Sequence, residues 1–221
     1  MSSGASRGIL ESGLAELAIH LPNSAIEQLM CYLGELLRWN KKINLTALNT
    51  EEAILIKHFL DSLTALPYLQ RKPGVHWIDV GTGGGFPGLV LKIAAPEICL
   101  TLLEPLGKKV TFLHHMIGLL GMNSVSVIPE RIEHLAGSEW DRQYDLMMTR
   151  AFSPEILLQE GRDLVQGGGE IVLFQGHASH DSWVSRLGRY PNLYLKKIIA
   201  LHLPFSEVER TLIVIGVKVS E

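Results

Sequence analysis

The chain has 221 residues, of which 47% are hydrophobic and 19% charged, and this composition predicts a soluble globular protein rather than a disordered one. The formal net charge of −3 argues against non-specific coating of nucleic acid, although it permits a local basic face. Because no apolar run approaches the length of a membrane span and the N-terminus lacks signal-peptide features, we expect a cytoplasmic protein.

Three amphipathic helices are predicted in the first third of the chain. Leucines spaced three and four residues apart form an apolar stripe over residues 6–21. A second helix is expected between Ser24 and Trp39, because Ser24 and Glu27 stand at the spacing of a capping box. A third helix is predicted over about residues 51–66, where a proline follows.

The third helix carries a polar pair, His58 and Asp61, one turn apart on the same face, with Lys57 beside them. We interpret this pair as a polar network that fixes the helix to the following domain. Direct catalysis is the alternative, but a single helical pair is common in proteins where it has only a structural role.

After residue 73, apolar strand-like runs alternate with helical runs, which predicts a parallel sheet covered on both faces. The last two strands are joined by a short polar stretch and should form an antiparallel hairpin at one edge, unlike an ordinary dinucleotide fold. We therefore divide the chain into an N-terminal helical extension, 1–73, and an α/β domain, 74–221. The predicted strands are 75–80, 98–103, 124–128, 143–149, 169–174, 193–201 and 210–219, with helices at 87–95, 107–120, 154–166 and 180–188.

A glycine-rich turn links the first strand to its helix and predicts a nucleotide-type ligand site. The run Gly83 to Gly88 satisfies the G-x-G-x-x-G pattern of dinucleotide enzymes, which alone is a weak signal. Asp79 precedes the turn and would repel a pyrophosphate, and Pro87, just inside the expected helix start, supplies no N–H. The segment instead resembles motif one of the class I S-adenosylmethionine-dependent methyltransferases.

Glu104 ends the second strand about twenty residues after Gly81, where an acid is expected to receive two ribose hydroxyls. The alternative is a solvent-facing glutamate beside Lys108 and Lys109. After the third strand, a loop can place a backbone amide and the side chain of Ile132 against an adenine.

Arg150 follows the fourth strand, where many amino-methylating enzymes carry an Asn/Asp-Pro-Pro-Tyr-type motif. This chain carries an arginine there instead, and without such a motif there is little reason to expect methylation of an exocyclic amine.

Seven segments together resemble the bacterial small-subunit ribosomal RNA guanine-N7 methyltransferases, also called the glucose-inhibited division protein B family. The resemblance covers nearly the whole chain, with one departure, Gln175 where the family usually has lysine. The segments are Trp39 to Thr46, His58 to Ser62, the glycine turn through Gly88, Leu106 to Lys109, Arg131 to Glu133, Arg150 to Phe152, and Arg210 to Ile215.

The resemblance implies a Rossmann-like, seven-stranded class I methyltransferase that uses S-adenosylmethionine to methylate N7 of a guanosine in 16S ribosomal RNA, free or in the 30S subunit. N7 carries a lone pair and no proton, so no general base is required. The implied cofactor-binding residues are Asp79, Gly81, Gly83, Gly85, Phe86, Glu104, Pro105, Leu106, Ile132, Glu133 and Arg150. Arg131, Arg150 and Arg210 would position the acceptor, and Lys41, Lys42, Asn44 and Lys57 would bind RNA.

Arg210 begins a predicted edge strand, from which we expect it to reach only RNA. The alternative for the three arginines is surface ion pairs with Glu130, Glu133 or Glu209. We expect a monomer that does not associate with a membrane. We also expect no metal, because no cluster of histidine and cysteine residues has the spacing of a zinc site. Cys31 and Cys99 are predicted to be buried reduced thiols.

Two other functions remain open from the residues. One is an NAD-dependent oxidoreductase, which calorimetric titration of both cofactors would distinguish. The other is a non-catalytic RNA-binding or ribosome-assembly module, whose signature would be loss of the turn glycines or of Glu104, and both are present.

Overall fold

A single seven-stranded sheet organises the computed structural model, which describes residues 3–135, 137, 139–150, 152–176 and 178–219. The strand order is β3-β2-β1-β4-β5-β7-β6, and only β7 runs antiparallel to its neighbours. The strands are β1 (His76–Val80), β2 (Cys99–Leu103), β3 (Val125–Ile128), β4 (Tyr144–Thr149), β5 (Val165–Gln175), β6 (Leu193–Leu201) and β7 (Arg210–Val217).

The predicted α/β fold with a C-terminal antiparallel hairpin is confirmed, with one correction to the hairpin. β7 is inserted between β5 and β6, so the outermost strand is β6. Arg210, the first residue of β7, therefore does not lie on an edge strand, and the expectation from the sequence is wrong on this point.

Two N-terminal helices precede the sheet, α1 (Ser3–Glu16) and α2 (Asn23–Asn40). The apolar stripe predicted one helix as far as residue 21, but α1 ends earlier. The capping box at Ser24 is also wrong, since the cap position is Pro22 and makes no side-chain hydrogen bond. Asn23 instead donates from Nδ2 to Glu27 Oε1 at 2.7 Å.

The third helix is not uniformly α-helical. It starts as α3 (Glu51–Ile54), widens into a π-helical turn (Leu55–Leu60) and ends as α4 (Asp61–Leu63). Thr50 caps its start, accepting from the N–H of Ala53 at 3.2 Å. π-helical turns are rare and are frequent at functional sites, and this one contains His58.

The remaining helices cover both faces of the sheet. They are α5 (Gly88–Ala94), α6 (Gly107–Leu119), α7 (Pro154–Glu160) and α8 (His180–Leu187). Pro87 is the cap residue of α5 rather than a residue inside it. The helix predicted over 154–166 stops at Gly161, and β5 begins at Val165 after one 3₁₀ turn.

Two apolar clusters fill the space between these layers. The first contains α5, α6 and the N-terminal helices together, for example Leu36, Phe59 and Phe112, each fully buried. The second lies under α7 and α8 on the opposite face. The helical extension thus shares a core with the sheet, and the division at residue 73 stays a prediction.

Two further predictions concern the burial of the cysteines and the absence of a membrane-spanning segment. Cys31 and Cys99 are both free, but Cys31 is exposed and Cys99 partly exposed, so their predicted burial is wrong. Within the described ranges, no helix is both long enough and apolar enough to cross a membrane.

Candidate active site

The glycine turn after β1 adopts backbone angles that favour glycine. Gly81, Gly83 and Gly85 have φ of 68°, 61° and 95°. The N–H of Gly81 donates to Leu103 O at 2.9 Å, which fixes the turn to the carboxyl end of β2. This end of the parallel strands is where sheets of this class bind ligands.

Asp79 lies buried beneath the turn and uses only one of its two carboxylate oxygens. Oδ2 accepts from Thr82 Oγ1 at 2.6 Å and from the N–H of Gly88 at 2.8 Å. Oδ1 has no hydrogen-bond partner within the described part of the chain. Burial raises the pKa of Asp79 from 3.8 to about 6. The unused oxygen suits a donor or cation supplied by a ligand.

Glu104 is also buried, which removes the alternative of a solvent-facing side chain. Its Oε2 accepts from the N–H of Gly83 at 2.9 Å and its Oε1 from the N–H of Leu106 at 3.0 Å. A carboxylate oxygen accepts up to two hydrogen bonds, so each oxygen retains capacity for a ribose hydroxyl. Pro105 and Leu106 follow directly and are exposed.

Phe86 is packed inside an aromatic cluster contributed by the N-terminal helices. Its ring stacks on Tyr32, with centroids 5.4 Å apart, and on His58 at 4.5 Å. The Arg150 guanidinium lies 5.3 Å from the same ring. The Tyr32 hydroxyl donates to Gly84 O, so helix α2 holds the glycine turn directly. Sequence reasoning missed Tyr32, because it occupies one position in an otherwise apolar helical stripe.

A fully buried carboxylate, Asp61, joins two of the three predicted acceptor arginines. Oδ2 accepts from Arg150 Nη1 at 3.2 Å, and Oδ1 accepts from Arg210 Nε at 2.7 Å. The network interpretation of the third helix is thereby confirmed. Arg150 and Arg210 are mostly buried, at 15% and 28% side-chain exposure, so neither is the surface ion-pair partner considered above. Arg210 is thus paired with a buried carboxylate inside the sheet, and its contact with RNA stays a prediction.

His58 completes this network as a neutral ring. Arg150 Nη2 lies 2.7 Å from His58 Nδ1, and the Lys57 carbonyl oxygen lies 3.1 Å from the same atom. Because a guanidinium can only donate and its contact is the shorter, Nδ1 accepts from Arg150 and does not donate to the carbonyl. The proton is therefore on Nε2, which donates to Thr46 Oγ1 at 2.6 Å. Burial, helped by the charge of Arg150, lowers the pKa of His58 to about 3. At neutral pH the ring is therefore uncharged and accepts a hydrogen bond that holds Arg150.

The loop after α2 is shaped by Asn40. Its Oδ1 accepts from the N–H groups of Leu45 and Thr46 at 2.9 and 3.0 Å, and its Nδ2 donates to Thr46 O at 2.9 Å. Thr46 is thus fixed where it meets His58. The predicted RNA-binding residues Lys41, Lys42, Asn44 and Lys57 are all exposed, three of them on this loop.

The predicted site residues that follow β3 lie outside the Asp61 network. The Ile132 side chain is only 2% exposed and belongs to the second apolar cluster. Arg131 and Glu133, on either side of it, are exposed. The structure therefore brings together Arg150 and Arg210 but not Arg131.

In the described ranges no group of His, Cys, Asp or Glu residues is arranged to hold a metal ion.

Comparison with protein families gives one match over most of the chain. The sequence model of the family described as rRNA small subunit methyltransferase G matches residues 25–213 of this chain. The ribosomal RNA small subunit methyltransferase G of Alkaliphilus metalliredigens is 36% identical over 214 residues, covering 95% of this chain and 90% of the relative. That of Caldanaerobacter subterraneus subsp. tengcongensis is 38% identical over 210 residues, covering 94% and 88%.

Solved structures share the fold at low sequence identity. A SAM-dependent methyltransferase from Aquifex aeolicus has a TM-score of 0.58 and 15% identity, covering 75% of this chain and 93% of that one. A ribosomal protein L11 methylase from Lactobacillus delbrueckii subsp. bulgaricus has a TM-score of 0.54 and 14% identity, covering 73% and 79%.

Replacing Asp61 with alanine should destabilise the protein strongly, because two guanidinium groups would lose their buried carboxylate. We expect the free energy of unfolding at pH 7 to fall by about 3 kcal/mol or more. Glu16→Ala is the matched control, since Glu16 contacts only the exposed His202 side chain, at 2.9 Å, among the described residues, and its loss should cost less than about 1 kcal/mol. Urea denaturation measures both, and similar small decreases in the two variants would contradict a central role for Asp61.

Proposed function

Because the chain belongs to the rRNA small subunit methyltransferase G family, a family of S-adenosylmethionine-dependent enzymes, we propose that it methylates N7 of one guanosine in 16S ribosomal RNA. The observation that carries the N7 assignment is the pair Arg150 and Arg210 beside a neutral His58. This side of the glycine turn offers hydrogen-bond donors and positive charge, with no ready proton acceptor. N7 methylation needs none, because the attacking lone pair carries no proton.

The residues at the carboxyl ends of β1 and β2 fit S-adenosylmethionine. The unpaired Asp79 Oδ1 suits the cofactor's ammonium group, and the spare acceptor capacity of Glu104 suits its ribose hydroxyls. The positive φ of Gly81 shapes a turn that leaves backbone atoms open to approach. When bound, the cofactor supplies an electrophilic methyl group on sulfur.

The other proposed cofactor residues contribute in two ways. Phe86 and Ile132 are buried, so they support the pocket walls by packing. We propose direct contact for the more accessible ones, namely Gly83, Pro105, Leu106, Glu133 and Arg150, whereas the buried Gly85, with φ of 95°, shapes the turn.

In the proposed reaction the protein aligns and shields the acceptor base. Arg150 is held by Asp61, His58 and the backbone carbonyl of Lys57, at 3.2, 2.7 and 3.2 Å, and so stays in place before substrate arrives. Its guanidinium can donate to guanine O6 or to a neighbouring phosphate, and Arg210 adds a second positive charge. Fixing the base in line with the methyl group supplies most of the rate enhancement.

The RNA partner follows from the family, and we propose further that Lys41, Lys42, Asn44 and Lys57 contact it. Arg131, exposed at the same sheet edge, would bind a more distant phosphate. We also propose a monomer acting in the cytoplasm, where its ribosomal substrate is found. Family membership removes the oxidoreductase alternative, and the intact glycine turn and Glu104 disfavour a non-catalytic module.

Methyl transfer to N7 gives a product with a distinctive reactivity. Incubation with labelled S-adenosylmethionine and either free 16S RNA or 30S subunits should label the RNA at one guanosine. Borohydride reduction followed by aniline should then cleave the RNA strand at that guanosine, because N7 methylation makes the purine ring susceptible to reduction. Stable labelling that resists cleavage would contradict N7 as the acceptor.

Cofactor affinity should depend on pH through Asp79. Its pKa of about 6 means that the carboxylate is ionised at pH 7 and protonated below pH 6. Since only the ionised form attracts the ligand's ammonium group, the Kd of S-adenosylhomocysteine should rise by up to about tenfold per pH unit below 6. Asp79→Asn should bind weakly at every pH.

Isothermal calorimetry between pH 5 and 8 measures this dependence. A constant Kd for the wild type over that range would contradict the assignment. The free energy of unfolding should change with pH in the direction opposite to cofactor affinity. A carboxyl group whose pKa is raised in the folded protein stabilises the folded state at low pH. That contribution is lost as pH rises from about 4 through about 6.

A further inference from the structure

A basic groove lies beside the glycine turn, between the loop after α2 and the start of α6. Its volume is about 470 Å³. It is lined by Lys42, Ile43, Asn44, Leu106, Gly107, Lys108 and Lys109. The Lys109 ammonium lies 3.9 Å from where a Cβ would stand on Gly83, so the groove adjoins the turn directly. On the other side of the turn, Gly81 faces Phe152, close in sequence to Arg150.

The three lysines of this groove are not neutralised by the protein. None of the side chains of Lys42, Lys108 and Lys109 forms an ion pair or hydrogen bond with any residue in the described ranges. The nearby acid, Glu104, is buried and bonded to backbone N–H groups. A cluster of unpaired cations in a chain with a net charge of −3 indicates a polyanionic ligand.

Two of these lysines occupy positions in α6 where a positive charge destabilises the helix. Lys108 and Lys109 occupy the first turn of α6, which contains no acidic residue. The positive end of the helix dipole favours Asp or Glu at such positions and is destabilised by cations. Residues that lower the stability of their own helix are common at binding sites.

The walls of the groove supply apolar and amide surface as well as charge. Leu106 is 55% exposed and Ile43 is partly exposed, and Asn44 presents an amide with donors and an acceptor. A phosphate alone would not require apolar walls. An unstacked nucleotide requires all three features, because its phosphate is anionic, its base has apolar faces and its edge forms hydrogen bonds.

We propose that this groove binds a nucleotide of single-stranded RNA that flanks the target guanosine. Lys42 and Lys108 contact its phosphates, Leu106 and Ile43 pack against its base, and Asn44 reads the base edge. The proposal rests on the proposed function for the identity of the RNA. S-adenosylmethionine carries no phosphate, so the cofactor does not account for the lysines.

The test compares two double variants that remove the same charge. Lys42→Gln/Lys108→Gln alters the groove, and Lys72→Gln/Lys197→Gln alters exposed lysines that lie before β1 and on the outermost strand β6. For each protein we would measure the Kd of 16S RNA by filter binding at several salt concentrations, the Kd of S-adenosylhomocysteine, and the KM and kcat of methyl transfer.

We expect the groove variant to bind RNA about tenfold more weakly, with a correspondingly raised KM and little change in kcat. The slope of log Kd against log salt should flatten by about 0.7 for each phosphate that the variant no longer neutralises. Affinity for S-adenosylhomocysteine should be unchanged. Ile43→Ala should weaken RNA binding without changing the salt slope, because this substitution removes apolar surface of the groove and no charge.

Two results would overturn the proposal. One is RNA affinity and salt dependence equal to those of the control variant. The other is weakened binding of S-adenosylhomocysteine alone, which would assign the groove to the cofactor. If the wild type transferred no methyl group to RNA, the proposed function would fail, yet the filter-binding comparison would still decide whether the groove binds RNA.

Discussion

The buried carboxylate of Asp61 is the interaction on which the arrangement of this site depends. An isolated buried charge is strongly unfavourable, and Asp61 is stabilised only because Arg150 and Arg210 donate to its two oxygens. The three groups come from α4, the end of β4 and the start of β7. With His58 neutral, one carboxylate faces two guanidinium groups, so these four side chains together carry a net positive charge beside the glycine turn. That charge suits an RNA substrate.

The N-terminal helices build this site as much as the sheet does. From the loop after α2, hydrogen bonds run from Asn40 through Thr46 to His58 and then to Arg150. A second link runs from Tyr32 to Gly84 in the glycine turn. The helical extension therefore positions both Arg150 and the glycine turn, and its apolar core is continuous with that of the sheet.

Local patterns in the sequence were sufficient for the sheet, the glycine turn and the two carboxylates at the ends of β1 and β2. They are features of short windows, where period and turn chemistry determine the structure. The pairing of Asp61 with Arg150 and Arg210 spans 89 and 149 residues, and no local pattern indicates such partners. The same limit applies to Tyr32. The π-helical turn that contains His58 was missed because its apolar positions also fit an α-helix.

The claim that Asp61 makes Arg150 and Arg210 act as one unit is tested most directly by a double-mutant cycle on methyl transfer. We would measure kcat/KM for RNA in Arg150→Ala, Arg210→Ala and the double variant. Because each single change disturbs the shared carboxylate, the two effects should be non-additive, with a coupling energy of about 1 kcal/mol or more. Effects that add within about 0.5 kcal/mol would show that the two arginines act independently, and would contradict the account.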